Sequence, residues 1–145
     1  LIDLGVDPKI MSSAVTLALA QRLVRTLCPH CKKEAPLTAD EKKLVAQTLA
    51  RLPVGESVPQ TTNGWQPVGC QKCFETGYKG RIGVFEGIAM DAAVERIIRE
   101  NPSEREIRGA AKPQGLLTMP QDGVLKALAG VTSLAEVERV VGFSE

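Results

Sequence analysis

One histidine, one tryptophan, one tyrosine and three phenylalanines are all the sequence holds of imidazole and aromatic side chains. That scarcity removes several classes of function. Aromatics at 3% leave no base-stacking surface for single-stranded nucleic acid. A net charge of +1 gives no electrostatic footprint for DNA, RNA or an anionic membrane. The single histidine, His30, lies between two cysteines, so a Ser–His or Cys–His nucleophile has no free base. No G-x-x-x-x-G-K-[ST] phosphate loop, H-E-x-x-H helix or G-x-S-x-G elbow is present, and the chain should carry no catalysis of its own. Residues 1–9 lack the charged head and apolar run of a signal peptide. The longest apolar stretch, Ile10 to Leu27, is interrupted by Ser12, Ser13, Gln21, Arg22 and Arg25, too polar for a membrane span. A soluble, cytosolic protein is expected, in a compartment where thiols stay reduced.

What is present suffices for one domain or two small ones, with an apolar fraction of 43%. Asp7 and Pro8 read as the start of a helix running from Ile10 to Leu27. Its apolar groups cover most of the circumference, which calls for packing partners beyond this sequence. Thr38-x-x-Glu41 is a capping box opening a helix to about Arg51. Residues 53–69, punctuated by Pro53, Gly55, Pro59, Gly64 and Pro67, read as loop. Thr76 to Gly80 forms a turn, and Arg81 to Met90 a strand. Four short helices follow, opened by Asp91, Ser103-x-x-Glu106, Thr118-x-x-Gln121 and Ser133-x-x-Glu136. They stop at Asn101-Pro102, Pro113 and Gly115, Gly130, and Gly142. Val94, Ile97, Ile98, Leu125, Leu128, Leu134, Val137, Val140 and Val141 sit at helical spacing and read as core. The fold class expected is α+β, mostly helical.

All four cysteines fall in two C-x-x-C pairs, Cys28 with Cys31 and Cys70 with Cys73. A two-residue gap curls the chain so that both sulfurs face one point, and two such corners complete a tetrahedral four-sulfur shell. Pro29 stiffens the first corner, and Gly69 relieves crowding before the second. A structural Zn2+ fits best. A redox pair, two disulfides and an iron–sulfur cluster are the competing readings, each poorer in context or spacing. The insert between Cys31 and Cys70 is longer than a compact ribbon needs, so a helix and loop lie between the corners. A closed shell leaves no position for water, hence no chemistry at the metal. His30 can replace a ligand in principle, but a residue inside a knuckle more often points outward.

Leu4-Gly5-Val6, Ala20-Gln21-Arg22-Leu23-Val24-Arg25-Thr26-Leu27-Cys28-Pro29-His30-Cys31-Lys32, Gly69-Cys70 with Cys73, and Thr76-Gly77-Tyr78-Lys79-Gly80-Arg81-Ile82-Gly83 resemble the C-terminal part of type II secretion and type IV pilus assembly ATPases. The close of the chain, Asp122-Gly123 through Arg139-Val140, matches collinearly. The resemblance implies a cytoplasmic homo-hexamer, peripheral at the inner membrane, that uses ATP and Mg2+ to drive membrane-embedded assembly-platform proteins. Its Walker motifs lie upstream, in a RecA-like core. Residues 1–27 would be the tail of that core, 28–81 a tetracysteine zinc-binding subdomain, and 82–145 a strand with a C-terminal helical subdomain. Neighbouring subunits and the upstream core would be the immediate partners, with no nucleic acid. Retraction motors of the superfamily lack the tetracysteine module, which favours the extension and secretion branch. Gln21 and Arg22 match a Gln-Arg-Leu segment that places them, weakly, near nucleotide. The alternative from another class is a free-standing zinc module that binds protein or, less readily, nucleic acid.

Overall fold

The computed structural model describes residues 5–7, 10, 14–50, 52–53, 58, 61–100 and 102–143. Elements run in the order β1 (Leu17–Leu27), β2 (Lys33–Pro36), α1 (Ala39–Leu49), β3 (Asn63–Gln66), β4 (Tyr78–Ala89), α2 (Ala92–Ile98), α3 (Glu104–Ala111), α4 (Met119–Leu128) and α5 (Leu134–Val140). The fold is α+β, with two two-stranded sheets, β1 with β4 and β2 with β3. Among the described residues no helix is long and apolar enough to cross a membrane.

The helix expected over Ile10–Leu27 is overturned for Leu17–Leu27, which is a strand; Ile10 and Ala14 are helical, and 11–13 lie outside the described residues. Its Leu, Ala, Gln and Arg residues favour helix locally, but propensity is a weak prior against tertiary partners. Those partners are distant in sequence. The Leu27 amide donates to the Val131 carbonyl at 2.9 Å, and the Cys28 amide to the Gly77 carbonyl at 2.9 Å. Farther back, the Met90 amide donates to the Thr16 carbonyl at 2.9 Å, so β1 and β4 run antiparallel. The apolar side chains of β1 fall on both faces, with Val24 buried while Leu17, Leu19 and Leu23 stay exposed, so no clean alternation marks the strand. The loop expected over 53–69 contains a further strand, β3, paired antiparallel to β2 with Glu34 opposite Trp65 and Ala35 opposite Gly64.

The chain divides into two compact units. One comprises residues 1–20 and 87–116. Its core is Val94 and Ile98, packed by Val15, Ile88, Met90, Ala110 and Ala111. Local signals build it. The Asp91 carboxylate accepts from the Ala93 and Val94 amides, and the Ser103–Glu106 capping box is formed on both sides. Gln114 ties the elements together: its side chain accepts from the Ala89 amide at 2.9 Å and donates to the Ala89 carbonyl at 2.8 Å. Pro113 does end its helix, in a single 3-10 turn closed by Gly115 at φ 66°.

The second unit comprises residues 21–86 and 117–145. Its main core joins Leu37, Leu49, Val124, Ala127, Leu128, Leu134 and Val137, and a second cluster joins Val24, Val84 and Met119. Of the core positions expected from helical spacing, Val94, Ile98, Leu128, Leu134 and Val137 are buried, whereas Ile97, Leu125, Val140 and Val141 are half-buried. Both Thr38–Glu41 and Thr118–Gln121 form complete capping boxes. Gly123 lets α5 approach α4, since a Cβ there would meet the Val137 side chain at 2.6 Å.

Candidate metal centre

β1 ends at Leu27, and the next four residues make the first corner. The Cys31 and Lys32 amides both donate to the Cys28 carbonyl, at 3.3 and 2.9 Å. The second corner repeats the arrangement, with the Cys73 and Glu75 amides donating to the Cys70 carbonyl at 3.0 Å each. Special backbone surrounds that corner. Phe74 and Glu75 lie in the left-handed region at φ 53° and 59°. Gly69 has φ 108°, and a Cβ there would lie 2.7 Å from the Glu75 carbonyl oxygen, so the relief of crowding expected of this glycine has a specific cause.

The corners bring Cys28, Cys31, Cys70 and Cys73 together, with all four Sγ atoms within 4.8 Å of one another. Cys28 and Cys73 are buried, Cys31 and Cys70 half-buried, and none is in a disulfide. Sulfur–sulfur separations are 4.0 Å for Cys28–Cys70, 3.8 Å for Cys31–Cys73 and 3.7 Å for Cys70–Cys73. A tetrahedron with metal–sulfur bonds of ~2.3 Å has edges of about 3.8 Å. These thiols therefore fit one four-coordinate ion, and the cluster can hold a metal.

Backbone donors favour thiolate here. The Cys70 and Gly77 amides donate to Cys73 Sγ at 3.2 and 3.3 Å. Burial pushes the Cys73 thiol up, but those amides and its sulfur neighbours bring it down to about 7. Cys31 goes the other way, to about 11, because burial outweighs the hydrogen bond from the Gly69 backbone. Cys73 is thus prepared as thiolate ahead of Cys31. His30 is not in the cluster; its Nδ1 lies 3.5 Å from Lys72 Nζ, on the exposed outer side of the corner.

The corners are tied to the helices of the same unit. Lys32 donates to the Gly130 carbonyl at 2.7 Å and its ammonium lies 4.6 Å from the centre of the Trp65 ring. Trp65 covers Gly130 so closely that a Cβ there would meet the indole at 2.8 Å. Beside this contact sits a network that sequence reasoning missed. Glu136, wholly buried at its side chain, receives Arg25 through Nε at 3.0 Å and Nη2 at 2.6 Å, and the Arg25 amide at 3.0 Å. Arg139 clamps the same carboxylate at 2.9 and 2.7 Å. Burial pushes the Glu136 carboxyl up, but the hydrogen bonds from Arg139 and Arg25 bring it down to about 2. In the sequence Glu136 looks like the fourth residue of a capping box. Only half of that box forms: Ser133 accepts from the Glu136 amide, while the carboxylate serves the arginines. Arg139, three residues on, is the local half of this clamp; Arg25 is far away along the chain, and nothing local signals its part.

Of the two residues placed near nucleotide, Arg22 donates from Nη1 to the Val140 carbonyl, capping the C-terminal end of α5. Gln21 is exposed.

Residues 1–139 match the family described as type II/IV secretion system protein. The chain is 39% identical over 138 residues to the type II secretion system protein E of Aeromonas hydrophila, covering 95% of this chain and 26% of that protein. It is 38% identical over 139 residues to the type IV pilus assembly ATPase TfpB of Acinetobacter baylyi, covering 96% and 23%. Against the type IV pilus assembly ATPase PilB of Pseudomonas aeruginosa it is 39% identical over 140 residues, covering 97% and 23%. The chain thus spans about a quarter of the length of these relatives.

Proposed function

The chain belongs to the type II/IV secretion system protein family, and from that premise we propose that it is the zinc-bearing, force-transmitting portion of an ATPase that powers type IV pilus assembly or type II protein secretion. The observation that carries this is the four-thiol cluster tied by Lys32, Trp65 and Gly130 to the α4–α5 turn. Cys28, Cys31, Cys70 and Cys73 would hold Zn2+ in a closed shell. Bound there, the ion cross-links the end of β1 to the start of β4 and offers no open coordination site. The role is mechanical: the corner keeps a strand that continues from the ATPase core in fixed register with the helices that follow it. Residues 1–27 would belong to the RecA-like core, 28–81 to the zinc subdomain and 82–145 to the strand and helical end. In the hexameric parent, cytoplasmic and peripheral at the inner membrane, ATP and Mg2+ would be bound by the core. Gln21 is then the better candidate for approach to nucleotide, because Arg22 has a structural task. Neighbouring subunits and the inner-membrane platform proteins are the partners this reading supplies.

Two measurements test it. Elemental analysis of protein purified without chelator should give one zinc per chain, and a value far below one would refute the site. In the full-length protein, Cys70→Ser should abolish pilus assembly or secretion while nucleotide binding by the core persists; unimpaired assembly would remove the mechanical role.

A further inference from the structure

On the second unit, Arg25, Thr76, Tyr78, Gly80 and Arg81 line an open cavity of about 230 Å3. Two of the five are arginines and none is a carboxylate. Arg25 is rigid. Its Nε and Nη2 are taken by Glu136, and its guanidinium stacks on the Tyr78 ring at 4.1 Å from the centre. Tyr78 is itself fixed by a 2.8 Å hydrogen bond between its hydroxyl and Ser133 Oγ. Among the described residues nothing engages Arg25 Nη1, although the side chain remains 43% exposed. The Arg81 guanidinium is exposed and has no hydrogen bond or ion pair among the described residues. Charge is out of balance as well: the buried Glu136 carboxylate answers both Arg25 and Arg139, and Arg81 adds a further positive charge.

We propose that this cavity is an oxyanion site that takes a phosphate group. With Nε and Nη2 on Glu136, Arg25 still offers Nη1, and Arg81 offers its whole guanidinium. A phosphate has enough oxygens to accept from both, and planar arginine donors suit it. Thr76, whose hydroxyl donates to the Cys73 carbonyl at 2.6 Å, shapes the wall and is not needed as a donor. The open mouth admits a free phosphate or the phosphate of a lipid headgroup. Arg81 binds the ligand directly, and Glu136 is a positioning residue that aims Arg25. The inference rests on side chains of this chain and does not depend on the motor reading.

The test titrates the zinc-loaded chain at low salt with sodium phosphate, and separately with phosphatidylglycerol vesicles, following amide chemical shifts in the first case and co-sedimentation in the second. Arg81→Gln should weaken binding about fivefold or more, as loss of one exposed charge-assisted contact predicts. It should leave zinc content and far-UV circular dichroism unchanged. Lys79→Gln, beside the cavity but not lining it, should bind as the parent does. Saturable phosphate binding that depends on Arg81 assigns the site to a soluble phosphate; vesicle binding alone with the same dependence assigns it to a headgroup. Absence of both, or equal losses in Arg81→Gln and Lys79→Gln, overturns the proposal.

Discussion

The two compact units of this chain are held together by different physics. The unit of residues 1–20 and 87–116 rests on a small apolar cluster around Val94 and Ile98 and on helix caps made three residues apart. The unit of residues 21–86 and 117–145 depends on partners brought from opposite ends of the sequence: four thiols, a carboxylate clamped by two arginines, and one indole lying on a glycine. Local, redundant contacts fail gradually. Long-range polar and metal contacts fail all at once, because each member serves several others and removing one takes a partner from all of them.

The sharpest way to break the comparison is to remove the metal. Chelation or Cys70→Ser should disorder residues 28–81 well before 91–111, read by hydrogen exchange; equal loss of protection in both would erase the difference between the units. Structural zinc supplies on the order of 10 kcal/mol to small folds, so this is the largest effect expected.

Next in size is Glu136→Ala, which leaves a gap where a buried carboxylate stood and takes the partner from the Arg25 amide and two half-exposed guanidiniums; it should cost about 2 kcal/mol in chemical denaturation of the second unit. Protection around Val94 and Ile98 should be unaffected. The same carboxylate sets a pH dependence. It is held down at about 2 from an ordinary value of 4.5, so its stabilisation is complete above 4.5 and is lost as pH falls through about 2. Wild type should therefore lose stability over that window relative to Glu136→Gln; parallel pH curves for the two would contradict the network.

The smallest expected effect sharpens the other side. Ser103→Ala removes one cap from α3 and should cost about 1 kcal/mol, confined to the first unit. Thermal unfolding followed by amides of Glu104–Ala111 would detect it, and a loss spreading to the cysteine corners would argue that the units are not separable.

The same division explains what was legible in the sequence. Three capping boxes, at Thr38, Ser103 and Thr118, were readable because cause and effect lie three residues apart. The metal corners were readable for a similar reason: C-x-x-C is a local turn, and only the meeting of two such turns is long-range. β1 was not, because its leucines and alanines prefer helix and become strand through β4 and Val131. β2 and β3 escaped since four residues carry too little pattern to outweigh the prolines and glycines between the corners. The Ser133-x-x-Glu136 pattern predicts the bond made by the Glu136 amide but not the arginines that take its carboxylate.

The contact of Trp65 with Gly130 has a practical consequence. The chain has a single tryptophan, and its indole lies on the α4–α5 turn under the Lys32 ammonium. Its intrinsic emission therefore comes from one known place, the junction between the β2–β3 sheet and the helices beside it. A red shift would signal that this junction has opened to water, without any label or second probe, and stopped-flow mixing with a chelator would time the event.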